Sequence, residues 1–119
     1  MNTNNKKNIV IKIGTTSIIK NDKVDLTLLK NLAELISENK NQFNFVIVTS
    51  GAVGLGAAKL NYKSRPKSLK RLQVASAVGQ IELINQYEEI FKDKKMNIAQ
   101  VLITKNLIDD REQFINTTQ

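Results

Sequence analysis

Residues 43–60, FNFVIVTSGAVGLGAAKL, contain the change of pattern that decides the fold. The first part is a run of β-branched and aromatic residues, which predicts a strand over residues 44–50. The second part is rich in alanine and glycine and predicts a short helix from Gly51 to Leu60. A helix that follows a strand directly leaves backbone N–H groups without partners at its positive end. The junction at Ser50 and Gly51 is therefore a candidate site for a carboxylate or a phosphate.

Two longer helices are predicted from the spacing of apolar residues. Asp25 is the predicted N-cap of a helix that ends in the polar segment ENKNQ. Its apolar positions are Leu28, Leu29, Leu32, Leu35 and Ile36. The longest helix is predicted from Ser68 to about Lys92. Its apolar stripe consists of Val74, Val78, Ile81, Ile84, Tyr87 and Phe91. Ala75 and Gly79 lie beside that stripe and permit close helix packing, either within the chain or between two copies.

Two further strands are predicted, over residues 9–13 (IVIKI) and residues 96–104 (MNIAQVLIT), and another helix is predicted from Arg111 onward. Strands that alternate with helices pair in parallel and carry helices on their faces. The sequence therefore predicts a doubly wound α/β fold, with three αβα layers around a mainly parallel sheet. Ligands of such sheets bind beyond the carboxyl ends of the strands. The segments expected to converge at that edge are Lys12–Thr16, Thr49–Val53 and Thr104–Asp110.

The composition excludes several kinds of site. With 119 residues the chain suffices for one hydrophobic core, and no window approaches the run of about 20 apolar residues that a membrane span needs. The polar start, MNTNNKKN, lacks the apolar segment of a secretory signal, so we expect a cytoplasmic protein without a membrane partner. The chain has no cysteine and no histidine. Its chemistry must therefore use lysine, carboxylates, hydroxyls and backbone N–H groups.

Positive charge is concentrated around the stretch quoted above. The net charge is +7, and no acidic residue occurs between Glu38 and Glu82. The basic residues in that interval are Lys40, Lys59, Lys63, Arg65, Lys67, Lys70 and Arg71. Such a segment is either a solvated basic loop or a surface that attracts anions. A nucleic-acid partner is not expected, because only Tyr62 places an aromatic ring among these basic residues.

The glycines of GAVGLG do not form a nucleotide-binding motif. Their spacing is G-x-x-G-x-G instead of G-x-G-x-x-G, and residues 69–78 hold no acidic residue that would bind a ribose. The chain also lacks the sequence G-x-x-x-x-G-K-[ST] of a P-loop. We therefore predict that Gly54 and Gly56 serve helix packing. Gly51, at the junction, is predicted to contact a ligand.

Lys12 is a second candidate, within the stretch IVIKIGTTSI at residues 9–18. A lysine in a buried strand loses hydration energy unless its ammonium reaches a cleft or a partner. Lys12 lies near the end of its strand, and Gly14 and two threonines follow it, which indicates an ammonium directed at an anion. The alternative is a lysine on an edge strand whose ammonium extends into solvent and has no chemical role.

Four motifs together resemble the amino acid kinase family. They are VIKIGTTSI, VIVTSGAVGLGAAKL, QVASAVGQIELINQYEEIF, and NIAQVLIT followed by DDREQFINT, and they extend through nearly the whole chain. The most specific pattern is A-x-G-Q followed by L-x-x-x-Y-x-x-x-F. It is formed by Ala77, Gly79, Gln80, Leu83, Tyr87 and Phe91. The pattern is most similar to the members that use ATP to phosphorylate the γ-carboxylate of L-glutamate, the first step of proline synthesis.

This resemblance implies roles for individual residues. Lys12 resembles the lysine that neutralises the transferred phosphoryl group. The ATP phosphates would be contacted by Lys12, Gly14, Thr15 and Thr16. Glutamate would be received by Ser50, Gly51 and Ala52. Mg²⁺ would arrive bound to ATP, without a metal ligand from this chain, and the assembly would be a homo-oligomer. Catalysis would depend on positioning and charge neutralisation, which need neither histidine nor cysteine.

By the same resemblance, residues 1–119 would be the N-terminal, glutamate-binding half of a kinase domain whose ATP-binding C-terminal half is absent. The 119-residue polypeptide alone is then expected to be inactive, and a robust ATP-dependent phosphorylation of glutamate by it would refute this. Two alternatives stay open. One is a non-catalytic ligand-binding or interaction module, and the other is a family member that acts on acetylglutamate, aspartate, carbamate or uridylate.

Overall fold

The computed structural model describes residues 5–103, in which strands and helices alternate. In chain order the elements are β1 (Lys7–Ile13), α1 (Thr15–Ile18), β2 (Ile19–Lys20), β3 (Lys23–Val24), α2 (Leu26–Asn39), β4 (Phe43–Thr49), α3 (Ala52–Lys59) and α4 (Leu69–Asp93). The two strands and three helices predicted up to residue 93 are confirmed, with bounds that differ by one or two residues. The predicted segment Thr104–Asp110 and the helix from Arg111 lie outside the described residues.

β1 and β4 form a parallel pair, in register from Lys7 opposite Phe43 onward. α2 lies between them in sequence, as the crossover of a parallel pair requires. The predicted α/β class with a parallel sheet is thereby confirmed. β2 and β3 form a small antiparallel hairpin that was not predicted. Its turn residues Asn21 and Asp22 have φ values of 52° and 63°, a conformation that Asn and Asp adopt more readily than most residues.

The sheet is covered by helices on one face. Ile13 belongs to the core, and Ile11 and Ile47 pack against it. On the other face Val10, Val46 and Val48 are 65%, 51% and 49% exposed. Within residues 5–103 the protein therefore has one layer of strands and one layer of helices. The third layer of the predicted arrangement is not present in this part of the chain.

The strand predicted over residues 96–104 is wrong for the part that the structure describes. Residues 96–103 contain no strand, and in the described range β1 and β4 pair only with each other. Met96 and Ile98 pack against the core, whereas residues 101–103 are between 58% and 70% exposed. Apolar, β-branched content predicts that a segment can form a strand, but the strand forms only where a neighbour supplies its hydrogen bonds.

α2 starts at the predicted cap. Asp25 Oδ1 accepts a hydrogen bond from the Leu28 N–H at 3.2 Å, and Lys20 Nζ lies 3.1 Å from Asp25 Oδ2. The hydrogen bond from Lys20 is the larger cause, and that from Leu28 the smaller, of a pKa of the Asp25 carboxyl below its usual value. The buried face of α2 consists of Leu29, Leu32, Ala33 and Ile36. Leu35, which was predicted on that face, is 51% exposed.

α4 starts at Ser68 as predicted, and its buried face overlaps the predicted stripe only at Tyr87 and Phe91. Ser68 Oγ accepts a hydrogen bond from the Arg71 N–H at 3.2 Å. The buried residues are Ala75, Gly79, Leu83, Tyr87, Ile90 and Phe91. Val74 and Ile81, both in the predicted stripe, are 43% and 66% exposed. The small residues occupy the core side because a second helix packs directly on them.

That second helix is α3, and two glycines allow the contact. A Cβ on Gly56 would overlap the carbonyl oxygen of Ala75, and a Cβ on Gly79 would overlap the carbonyl oxygen of Ala52. The close packing predicted from the small residues of α4 is therefore a contact within the chain. Leu55 and Leu83 are each 1% exposed, and each such burial stabilises the fold by about 2 kcal/mol.

Candidate functional site

The junction between β4 and α3 has a defined backbone geometry. The Ser50 N–H donates to the Ile13 carbonyl at 3.0 Å, which holds the end of β4 beside the end of β1. Gly51 then has φ 112° and ψ −10° and is the N-cap of α3. A Cβ at this position would lie 3.1 Å from side-chain atoms of Ile18 and of Ile19. Only glycine fits both this left-handed backbone and the packing beneath it.

A polar cleft of about 320 Å³ opens beside this junction. Its lining consists of Thr15, Thr49, Ser50, Gly51, Ala52, Val53, Gly54, Arg65, Ser76 and Gln80. Four of the predicted site residues therefore meet in one cleft: Thr15, Ser50, Gly51 and Ala52. The other three, Lys12, Gly14 and Thr16, do not line it. The convergence predicted for the ends of β1 and β4 is found. The whole predicted segment Thr49–Val53 lines the cleft, whereas Thr15 is the one residue of Lys12–Thr16 that does.

The start of α3 differs from the starts of the two longer helices. Asp25 caps α2 and Ser68 caps α4, each by accepting a hydrogen bond from a first-turn N–H group. At α3 the cap is Gly51, and no side chain accepts from the first turn. The first-turn N–H groups and the positive end of the helix dipole are thus available to a ligand in the cleft.

The charge of the cleft is suited to an anion. Arg65 lies in the loop between α3 and α4 and supplies a cation to the lining. The described lining contains no carboxylate, and its other polar side chains are hydroxyls and one amide. Hydroxyls, backbone N–H groups and a guanidinium together bind carboxylates and phosphates well.

Lys12 and Gly14 lie at the same edge of the sheet but outside the cleft. The side chain of Lys12 is exposed, next to Val48 in the register of the sheet. The prediction that Lys12 belongs to a buried strand is wrong here, because its face of the sheet is uncovered in the described part. A Cβ added to Gly14 would meet no atom within 4 Å. The predicted roles of both residues stay predictions.

Six further residues complete the lining. Thr49 and Val53 belong to a predicted segment and Gly54 was predicted to serve packing, whereas Arg65, Ser76 and Gln80 were not among the predicted site residues. Arg65 was one of seven basic residues in the interval without acidic residues, and nothing in the sequence distinguished it from the others. Ser76 and Gln80 are four residues apart on α4, each directly after a small residue that packs on α3. This spacing beside Ala75 and Gly79 is the sequence signal that could have predicted their position next to α3.

The packing role predicted for two glycines holds for one of them. Gly56 packs against Ala75, as predicted, and has no room for a side chain. Gly54 lines the cleft, and a Cβ added to it would meet nothing within 4 Å. The prediction for Gly54 is therefore wrong: α3 turns this position toward the open cleft and away from α4.

The cleft does not fit a directly bound metal ion. Among residues 5–103 no group of three or more acidic, histidine or cysteine side chains lies together, and Mg²⁺ prefers carboxylate ligands in proteins.

No helix in the described range has the length and apolar character to cross a membrane.

Comparison with known proteins identifies the family. The model of the amino acid kinase family matches residues 7–119. The chain belongs to the amino acid kinase family. It is 43% identical over 116 residues to the glutamate 5-kinase of Prochlorococcus marinus strain MIT 9301, which covers 95% of this chain and 32% of that protein. It is 40% identical over 114 residues to the glutamate 5-kinase of Enterococcus faecalis strain ATCC 700802, which covers 94% of this chain and 42% of that protein.

A third relative is the glutamate 5-kinase of Nostoc sp. strain PCC 7120, with 41% identity over 113 residues, 92% of this chain and 30% of that protein. The chain thus spans between 30% and 42% of the length of these three relatives. The family is that of the resemblance found in the sequence motifs. The cleft at the ends of β1 and β4 lies within the matched region.

Proposed function

We propose that this chain provides the glutamate-binding part of an ATP-dependent glutamate 5-kinase. The observation that carries the proposal is the start of α3, which no side chain caps and which lies in the same cleft as Arg65. No carboxylate of the described residues lines this cleft. The guanidinium and the free N–H groups attract an anion, and no carboxylate of the described lining competes with that anion for them. Glutamate carries two carboxylates, and the named relatives are glutamate 5-kinases.

In the proposed reaction an oxygen of the γ-carboxylate bonds to the γ-phosphorus of ATP, and the bond from that phosphorus to the ADP oxygen breaks. Ser50, Gly51 and Ala52 receive the glutamate. Lys12 and the turn Gly14–Thr16 contact the phosphates of ATP, and Lys12 neutralises the phosphoryl group during transfer. Such a reaction depends on positioning and on electrostatic stabilisation. Mg²⁺ enters this scheme only as a companion of ATP, because the described cleft offers it no carboxylate.

The domain division belongs to the same proposal. Residues 1–119 are the amino-acid-binding part of the kinase domain, and the nucleotide is held mostly by a part that these residues do not include. The cytoplasmic location expected from the polar start of the sequence belongs to this proposal, as do the homo-oligomeric state and the place in proline synthesis that the family resemblance implies. A non-catalytic module is the alternative outcome of the experiment below.

The experiment is a kinase assay on the protein expressed from its own gene at its natural length. We expect ATP-dependent phosphorylation of L-glutamate, and we expect Lys12→Ala to lower kcat by about 100-fold or more, since a lost charge contact to the transition state costs several kcal/mol. The control is Lys7→Ala, at the other end of β1, which leaves kcat unchanged. An inactive natural protein that still binds glutamate would favour the non-catalytic module, and full activity of Lys12→Ala would refute the proposed role of Lys12.

A further inference from the structure

A buried tyrosine contacts the residue that precedes the proposed glutamate-binding residues Ser50, Gly51 and Ala52. Tyr87 is 4% exposed, and its hydroxyl donates a hydrogen bond to Thr49 Oγ1 at 2.8 Å. The Thr49 hydroxyl in turn donates to the Ser50 carbonyl at 3.2 Å. A chain of two hydrogen bonds therefore runs from the C-terminal half of α4 to the peptide group at the end of β4.

This chain acts on the peptide bond between Ser50 and Gly51. The peptide group is planar, so the direction of the Ser50 carbonyl fixes the direction of the Gly51 N–H on the opposite side. Glycine tolerates many backbone angles, so at Gly51, with its φ of 112°, hydrogen bonds to the neighbouring peptide groups help to fix the orientation of this peptide. The Ser50 N–H is already held by the Ile13 carbonyl at 3.0 Å, and the Ser50 carbonyl is held through Thr49.

The properties of Tyr87 suit a donor in this position. Burial raises the pKa of the Tyr87 phenol above its usual value, against an opposing effect of the bond with Thr49. The phenol is therefore protonated at any pH at which the protein works. Its ring also packs near Phe91, with ring centroids 6.1 Å apart, so the ring is held by the core and the hydroxyl emerges at a fixed point.

We propose that Tyr87 is a positioning residue for the substrate: its hydroxyl, acting through Thr49, fixes the Ser50–Gly51 peptide and so directs the Gly51 N–H toward the glutamate carboxylate. This inference rests on the proposed function. The inference adds Tyr87 of α4 to the residues that serve glutamate binding. Tyr87 touches no substrate atom and acts on the orientation of the Ser50–Gly51 peptide. Without the bond, the peptide samples other orientations, and glutamate binds only when the productive one is populated.

The test is Tyr87→Phe in the protein at its natural length, because this change removes one hydroxyl and keeps the ring. We expect the KM for glutamate to rise about 3- to 10-fold, which corresponds to the loss of one hydrogen bond, with the KM for ATP and the melting temperature little changed. Thr49→Val removes the acceptor and is expected to have a similar effect. The double variant should show no further rise, since both changes break the same chain.

The matched control is Tyr62→Phe. Tyr62 lies in the loop before α4, with the Arg71 guanidinium 5.6 Å from its ring centroid, and it lines no part of the cleft. We expect no change of KM in this variant. Should Tyr87→Phe fail to fold, Thr49→Ser and Thr49→Val take its place, because serine keeps the hydroxyl and is expected to lose less glutamate affinity than valine.

Two results would overturn the inference. One is an unchanged KM for glutamate in Tyr87→Phe, and the other is an equal rise for glutamate and ATP with a lower melting temperature, which would indicate a general structural effect. A natural protein that does not phosphorylate glutamate would refute the proposed function and this inference with it. An active natural protein with an unaffected Tyr87→Phe variant refutes the inference alone.

Discussion

Two glycines of α3, Gly54 and Gly56, meet opposite packing requirements. At the second half of the helix Gly56 lies against Ala75 of α4, and no further atom fits there. At the first turn Gly54 faces the cleft, and a methyl group added to it would touch nothing within 4 Å. The same residue type thus serves contact at one position and leaves open space at the other, two residues away.

The comparison shows how the crossing of α3 and α4 supports the site. Gly79 of α4 lies against the Ala52 carbonyl, so the packed region extends to the first residue of α3. The first turn is held from below by α4 and is open above. Residues in the packed region should therefore control stability, and residues around the cleft should control ligand binding.

The largest effect is expected from Gly56→Ala. The new Cβ would overlap backbone atoms of Ala75, and backbone cannot move aside as a flexible side chain can. We expect a loss of about 3 kcal/mol or more in the free energy of unfolding, at the upper end of the cost of overpacking. Chemical denaturation of the purified protein, or its complete failure to fold, is the measurement.

Gly54→Ala is the matched control for this prediction. It adds the same methyl group to the same helix, where space is free, and alanine favours a helix over glycine by up to about 1 kcal/mol. We expect unchanged or slightly increased stability. Equal destabilisation by the two variants would contradict the structure, in which Gly56 has no room for a methyl group and Gly54 has.

The next effect is expected at the cleft, from Arg65→Gln. Arg65 is the cation of the described lining, and a charge-assisted hydrogen bond to a carboxylate contributes about 1.5–3 kcal/mol. We therefore expect the KM for glutamate to rise about 10- to 100-fold, while the free energy of unfolding stays the same because the side chain is exposed. Steady-state kinetics and denaturation of the same preparation give both values.

Arg71→Gln is the control for Arg65→Gln, because Arg71 belongs to the same basic segment but lies over the Tyr62 ring. A similar rise of KM in both variants would mean that the basic segment acts only through its general charge. In that case the effect should also disappear at high salt, since exposed charges are screened over about 10 Å at 0.1 M ionic strength.

The sequence predicted the elements of this fold better than their faces. The β2–β3 hairpin was not predicted and the strand predicted over residues 96–104 was wrong for residues 96–103, but the bounds of β1, β4 and the three longer helices and the caps at Asp25 and Ser68 were predictable because they depend on local chemistry. The buried face of α4 was not, because the apolar stripe through Val74 and Ile81 had more hydrophobic surface than the side with Ala75. Only the presence of α3 makes the small residues the better core side.

The same distinction applies to the candidate site. Ser50, Gly51 and Ala52 were predictable because a strand that passes into a helix at a glycine is a local pattern. Arg65 and Gln80 join them through the α3–α4 crossing, which depends on contacts between residues far apart in sequence. For Lys12 the sequence left a buried and a solvent-exposed position open, since strand patterns show which residues alternate but not whether a second layer covers the other face.

The smallest effect is expected at the helices that have a side-chain cap, unlike α3. At α2 the contribution of the Asp25 cap to stability is expected to depend on pH. The pKa of Asp25 is lowered in the folded protein, so its carboxylate stabilises the fold above the unfolded value of 3.8 and loses this effect as the pH falls through the lower folded pKa. Asparagine keeps a cap acceptor but not the charge facing Lys20. We expect the stability difference between the natural protein and Asp25→Asn to be constant near neutral pH and to shrink below pH 3.8.

Ser68→Ala tests whether this pH dependence comes from the carboxylate and not from the cap. The Ser68 hydroxyl does not titrate, so removing it should cost about 1 kcal/mol at every pH. Denaturation curves of the three proteins between acidic and neutral pH separate the two contributions. A stability difference between the natural protein and Asp25→Asn that stays the same in acid would mean that the ion pair of Lys20 with the Asp25 carboxylate does not stabilise the fold. Neither change should alter the KM for glutamate, because both side-chain caps lie away from the cleft. At the first turn of α3, by contrast, no side chain caps the helix, and its N–H groups are available to a ligand.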